Sequence, residues 1–241
     1  MAAAADLRMS ARRRGRLRPL LASAAGFADV VLIAGGLTAS GLVSEAELLA
    51  DELEGLELPI VAVLGACDHE AGQESPMRSA LTSMGWRILE ASATVLEVAG
   101  ARLGVAGMTG FAGGFGLDYQ LWNAVREHRP ADRDQSRAVR FGRALAGLPE
   151  QNVDVTVALT HFAPIQATLD GERETAKPNL GNELIGHVID AAGADLALHG
   201  MARNGSRAAR TPRGTPVYNV ARAISVEPFT LLSCPVQPHG R

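Results

Sequence analysis

Short runs of consecutive apolar residues recur along the chain. Between them lie stretches in which apolar positions return every three or four residues. Residues 29–34 read DVVLIA, 59–64 PIVAVL and 153–160 VDVTVALT. Runs this short, bounded by glycine or polar residues and rich in β-branched side chains, predict strands buried on both faces. Residues 2–5, 194–199, 215–220 and 229–232 predict further extended segments. A turn at Gly100–Ala101 separates TVLEV from RLGVA and predicts two strands over 94–106. Helical spacing covers 12–25, with Leu17, Leu20, Leu21 and Ala24 on one face, and also 76–85, 134–148 and 182–192. A helix over 44–53 is predicted to start at Ser44 as N-cap, with Glu47 three residues on completing a capping box. The glycine cluster 107–116 reads as a loop. It has no helix start behind it and no lysine, so it does not predict a phosphate-cradling loop. Strands and helices mixed without strict βαβ alternation predict an α/β protein of two packed sheets with helices outside.

Composition narrows this picture. A chain of 241 residues with 47% hydrophobic content suits one domain, 1–241, with an ample core. A formal net charge of -3 gives no global attraction to nucleic acid or to an anionic membrane. Aromatic residues at 4% are too few for base-stacking platforms. No apolar run approaches the ~20 residues of a membrane span. Cys67 and Cys234 do not form a disulfide framework, and a reducing cytoplasm is the expected compartment. The first 26 residues are rich in Ala and Arg, as transit peptides are. Arg16, Arg18 and Pro19 interrupt any secretory apolar stretch, and a first strand and helix account for the segment.

Five segments in order carry chemistry: Asp6–Leu7–Arg8, Gly35–Gly36, Gly65–Ala66–Cys67–Asp68, His161, and Gly200–Met201–Ala202–Arg203. Each follows an apolar strand, and LIAGGLTASG, LTHFAP and PVYNVA surround them. This ordered set resembles the motif blocks of the calcineurin-like metallophosphoesterases: D-x-H, G-D, G-N-H-[DE], a lone H, and G-H-x-H. The resemblance spans the whole chain. It implies a four-layer α/β/β/α sandwich. In that family two metal ions clamp a phosphoryl group and activate water, and they require carboxylate and imidazole ligands.

The chain departs from the pattern at the ligand positions. Arg8 stands for the first histidine, Gly36 for the bridging aspartate, Ala66 for the asparagine and Cys67 for its neighbouring histidine. Met201 and Arg203 stand for the last histidine pair. Glycine carries no side-chain ligand, and an always-protonated arginine has no lone pair to give. Of the ligands only Asp6 and His161 are kept. No metal, no other cofactor and no two-metal phosphoesterase activity are therefore expected.

Two arginines at one former metal position suggest an anion pocket formed by Asp6, Arg8, Asp68, His161 and Arg203, since a guanidinium binds phosphate or carboxylate in a two-pronged fashion. The alternative is that Arg8 and Arg203 neutralise Asp6 in an ion pair. Cys67 is the candidate nucleophile if nearby arginines lower its pKa; the alternative is a small packed hydrophobe. His161 is the second catalytic candidate, or else a histidine bound to backbone. Asp68 reads as a hydrogen-bond acceptor. His187 and His199 read as packing residues, and 203–210 as a basic solvated loop. The function expected is that of a degenerate, non-catalytic relative binding an anionic small molecule or a partner protein. The alternative is a metal-free enzyme of acyl-transfer or acid–base type using Cys67, His161 and the two arginines. Oligomeric state is not legible.

Overall fold

The three continuous apolar runs at the start of the chain become adjacent parallel strands. In the computed structural model, which describes residues 1–19, 26–126, 133–224 and 229–234, these are β1 (Ala2–Ala4), β2 (Val31–Ala34) and β3 (Ile60–Val63). Strand β4 (Arg87–Leu89) extends them in parallel, and the last strand, β11 (Thr230–Leu231), closes the other edge antiparallel to β1. The order of this five-stranded sheet is β11-β1-β2-β3-β4. A second sheet holds β5 (Ser92–Val98), β6 (Ala101–Met108), β7 (Val155–Thr160), β8 (Leu196–His199), β9 (Ala208–Arg210) and β10 (Pro216–Asn219), in the order β5-β6-β7-β8-β10-β9.

Side-chain alternation explains why the runs are apolar throughout. Ala3, Leu32, Val61 and Val63 face the second sheet and meet Leu103, Val105, Val157, Leu159 and Leu198. Ala2, Ala4, Val31, Ile33 and Ala62 face outward, against helices α1 (Val43–Leu53) and α2 (Glu74–Ser83) through Leu49, Leu53, Met77 and Leu81. A strand sandwiched in this way has no solvent face for polar residues. A further helix, α3 (Leu117–Arg126), precedes α4 (Arg133–Ala146) and α5 (Glu183–Ala192). The last two cover the outer face of the second sheet through Phe141, Leu145, Ile185 and Ile189, over Ala106, Ala158 and Ala197. The layers are thus α/β/β/α, as expected.

Several local expectations need correcting. Helix α1 is not capped by Ser44: its N-cap is Leu42, without a side-chain bond. Instead Gln73 accepts the Val43 N–H at 3.0 Å, and Glu45 reaches back to the Ser40 N–H at 2.8 Å. The hairpin turn lies one residue earlier than expected, because Ala101 already pairs with Val98. Ala99 (φ 50°) and Gly100 (φ 78°) both take the left-handed conformation, which suits the twist of a two-residue hairpin. The glycine cluster begins inside β6 and a helix, α3, does follow it. The helix expected over 12–25 does not start at Arg12. Ala11–Arg13 is a single tight turn and Gly15, at φ 78°, interrupts it; residues 20–25 lie outside the described residues. The Glu52 carboxylate organises this stretch by accepting the N–H groups of Gly15, Leu17 and Arg18. The basic run 203–210 is not all loop, since Ala208–Arg210 pairs antiparallel with β10. Asn182 does cap α5, accepting the Leu184 N–H at 2.9 Å. Among the described residues no helix is long and apolar enough to cross a membrane.

Candidate anion site at the strand ends

All five motif segments leave the C-terminal ends of parallel strands, the place where open α/β sheets gather their ligands. Asp6 to Arg8 follow β1, Gly35 and Gly36 follow β2, and Gly65 to Asp68 follow β3. His161 follows β7 and Gly200 to Arg203 follow β8. Backbone bonds join these loops directly. The Asp6 N–H donates to the Gly35 carbonyl at 2.9 Å, the Arg8 N–H to Gly36 at 2.8 Å and the Gly200 N–H to His161 at 3.1 Å. The Met201 N–H crosses between the sheets to the Asp6 carboxylate at 3.1 Å. The His161 ring makes a second tie, with Nδ1 2.8 Å from the Ala34 carbonyl.

Glycine is what allows the loops this close. A Cβ on Gly36 would lie 2.9 Å from both the Cα and the Oδ1 of Asp6, and one on Gly65 would lie 2.2 Å from the Gly36 nitrogen. The room that an aspartate side chain at Gly36 would need is occupied by the Asp6 backbone and carboxylate. The non-glycine residues Asp6 (φ 56°), Arg8 (φ 48°) and Met201 (φ 67°) all hold left-handed backbone here. Such conformations cost of order 1–3 kcal/mol each and persist only where the surroundings impose them.

Arg8 is half-buried and its Nη2 donates to the Cys67 sulfur at 2.9 Å, while its Nε is buried with no acceptor among the described residues. Burial pushes the Cys67 thiol up, and the Arg8 charge offsets this only in part. That is the reverse of the shift a nucleophilic Cys67 would need, and it agrees with the alternative of a small packed side chain. Nor does the expected ion pair form: among the described residues no arginine nitrogen lies within 4.0 Å of the Asp6 carboxylate. Asp68 is fully buried and holds the loops together, accepting from the N–H groups of Leu37, Thr38 and Gly65 and from the Thr38 hydroxyl. His161 is 1% exposed, so its ring is buried beneath the strand ends. Arg203 is exposed and sits two residues beyond the Met201 tie.

Three further arginines surround Arg8 and Arg203. Arg13 curls back so that its Nη1 donates to the Leu7 carbonyl at 2.7 Å. Its guanidinium holds its proton less firmly than usual, first because it is buried and then because Arg222, Arg8, Arg203 and Arg16 lie around it. Arg222 is placed by its own N–H, which donates to the Ala5 carbonyl at 3.1 Å. Sequence reasoning passed over Arg13, Arg16 and Arg222. The first two sat in a stretch read as helix. The third directly follows PVYNVA, the segment that closes the motif set, and that position was its only signal.

Behind Ala66 and Phe162 opens a cavity of about 1000 Å³, lined also by Arg78, Glu90, Phe111 and Arg137. Asp6, Arg8, Cys67, His161 and Arg203 do not line it. Its Glu90 is satisfied internally. Burial would raise this carboxyl, but Arg137 at 2.6 Å and the N–H and hydroxyl of Thr109 bring it below its ordinary range. His199 is fully buried beside the site, with Nδ1 2.7 Å from the Gly200 carbonyl and Nε2 without a partner.

These side chains do not fit a metal pair. Asp6 and His161 both spend an atom on backbone, Arg8 carries a positive charge where a donor would stand, and Gly36 has no room for a carboxylate. Among the described residues no three His, Cys, Asp or Glu side chains group closely enough to hold an ion.

No family model matches the chain, and no curated protein matches it. Solved structures do. One is 13% identical with a TM-score of 0.61, covering 90% of this chain and 88% of its own. The protein TT1561 of Thermus thermophilus is 17% identical with a TM-score of 0.55, covering 90% of this chain and 87% of its own. A candidate 5'-nucleotidase from Staphylococcus aureus, solved in complex with alpha-ketoglutarate, is 14% identical with a TM-score of 0.52. It is matched over 90% of this chain but only 47% of its own. At these identities the likeness is one of fold alone. The chain has the four-layer α/β/β/α sandwich of metallophosphoesterase-type structures.

Proposed function

We propose that this protein is a non-catalytic relative of the metallophosphoesterases that binds an anionic small molecule, without metal, at the strand ends where Arg8 and Arg203 stand. The observation that carries the reading is the state of Arg8. Its guanidinium is half-buried, one nitrogen has no acceptor among the described residues, and the nearest motif carboxylate is out of ion-pair range. A buried polar group without a partner is rare and costs about 1–3 kcal/mol. A bound anion would remove that cost. The half-buried setting favours a small ligand over a protein surface.

The metal-free enzyme reading has less support. A nucleophilic Cys67 would need a lowered pKa, whereas its thiol is raised, and the Nδ1 of His161 is turned to the Ala34 carbonyl. The test of the proposal is thermal unfolding with phosphate and with sulfate at constant ionic strength, on wild type, Arg8→Ala and Arg203→Ala. Stabilisation of the wild type by millimolar anion, weakened roughly tenfold or more in Arg8→Ala, is expected from a charge-assisted bond of ~1.5–3 kcal/mol. No stabilisation of the wild type by any anion would sink the reading. Hydrolysis of phosphoesters that rises with manganese and disappears in Asp6→Ala would sink it too.

A further inference from the structure

Resting on that reading, we infer that the ligand is a linear oligophosphate, a chain of two or more phosphoryl groups, gripped by Arg8 and Arg203 together with Arg13, Arg16 and Arg222.

The number and placement of the arginines argue for more than one phosphoryl group. One phosphate has oxygens for about two forked guanidinium contacts. Here five guanidinium groups converge from four separate pieces of chain: the turn after β1, the tight turn at 11–13 with its sequel, the loop after β8 and the segment after β10. Two guanidinium groups are held by specific bonds, and the backbone of a third arginine is tied beside them. The Arg8 guanidinium is held through Cys67 Sγ and that of Arg13 through the Leu7 carbonyl, while the Arg222 backbone N–H donates to the Ala5 carbonyl. Ala5 and Leu7, which accept from Arg222 and Arg13, lie on the same loop as Arg8 itself.

Among the described residues no carboxylate forms an ion pair with this charge. Among the described residues none of the five arginines has a carboxylate within 4.0 Å, and the charged groups that most perturb Arg13 are all arginines. The two motif carboxylates beside them are engaged elsewhere: Asp6 accepts the Met201 N–H, and Asp68 accepts from the N–H groups of Leu37, Thr38 and Gly65. Like charges gathered without a direct ion-pair partner repel, and the repulsion persists because Arg8 and Arg13 are half-buried and poorly screened. Such a cluster is stabilised most by a ligand whose own charges are many and closely spaced. A phosphate chain has that property. A lone sulfate or carboxylate does not. The left-handed backbone at Asp6, Arg8 and Met201 points the same way, since it fixes the loops that carry Arg8 and Arg203.

The experiment is calorimetric titration of the full chain, in chelator, with phosphate, pyrophosphate, tripolyphosphate and ATP at matched ionic strength. Affinity should climb by roughly tenfold or more from phosphate to tripolyphosphate. Arg13→Gln and Arg222→Gln should each weaken tripolyphosphate roughly tenfold while leaving phosphate nearly unchanged, and Arg8→Gln should weaken both. Arg222→Lys serves as a folded control that keeps charge and loses the fork. ATP binding more tightly than tripolyphosphate supports the inference with a nucleotide as the source of the chain; the opposite order supports it with an inorganic chain. If tripolyphosphate binds no better than phosphate, or Arg13 and Arg222 are silent, the inference fails while the single-anion reading stands. If no anion binds, both fail.

Discussion

At the scale of single residues, small side chains and unusual backbone decide what the site can hold. Gly36 stands where the fold's bridging aspartate is expected, yet it has φ 68° and no room for a Cβ. Gly36→Asp should therefore not restore a metal centre. Left-handed backbone costs about 1–2 kcal/mol for a residue with a Cβ, and overpacking adds ~1–3. The variant should lose about 2–4 kcal/mol in urea unfolding and retain no manganese after dialysis. A stable, manganese-loaded Gly36→Asp protein would contradict the reading. Cys67 is a second case. Burial raises its thiol above the ordinary range, and the same holds for Cys234. Both should alkylate slowly in the native protein at neutral pH and rapidly once unfolded. Fast, selective labelling of Cys67 would revive the nucleophile. The positions of these residues at the strand ends were legible, because motif blocks behind apolar runs locate turns. The direction of the Cys67 shift was not, since desolvation depends on packing by parts of the chain distant in sequence.

At the scale of elements, two buried groups make the molecule's stability depend on pH in separate windows. His199 ends β8 with no room for a charge. Its pKa falls from 6.5 to about 4, through burial first, with the Gly200 carbonyl opposing and His161 assisting. The unfolded chain takes up a proton below pH 6.5 that the folded chain refuses, so stability declines as pH drops from about 6.5 to 4 and levels off below. The full loss is about 3 kcal/mol. Urea unfolding of wild type against His199→Leu should show this slope only in the wild type; equal slopes would mean that His199 charges inside the fold. Glu90 acts lower. It follows β4 and is bound by Arg137 of α4, so it ties that helix to the sheet edge. Its folded pKa is depressed, so its contribution is present above the ordinary carboxylate pKa of about 4.3 and is lost as pH falls through the folded value. Arg137→Ala should cost about 1–3 kcal/mol at pH 7 and flatten the acid limb below pH 4. An unchanged limb would place the acid sensitivity elsewhere. Elements with strong apolar runs were readable to within a residue or two. Helix α3 was missed because glycines precede it, and the capping of α1 was misread because its first N–H is met by Gln73, thirty residues away.

At the scale of the whole molecule, two sheets bring five strand ends together, and the fold forms with side chains there that do not suit a metal pair. The core explains why. Layers of Val, Leu, Ile and Ala between and outside the sheets are independent of the side chains at the strand ends. The two-sheet architecture was legible from the spacing of apolar runs. The arginine cluster was not, because Arg13 and Arg16 sat in a stretch read as helix and Arg203 and Arg222 come near Arg8 only through the folding of distant segments. The most direct measurement of the central claim is a calorimetric titration of orthophosphate into the full chain, in excess chelator and again with manganese. The account predicts saturable binding in chelator, unchanged by manganese and weakened roughly tenfold by Arg8→Gln. Binding that appears only with manganese, or that Arg8→Gln leaves intact, would contradict it.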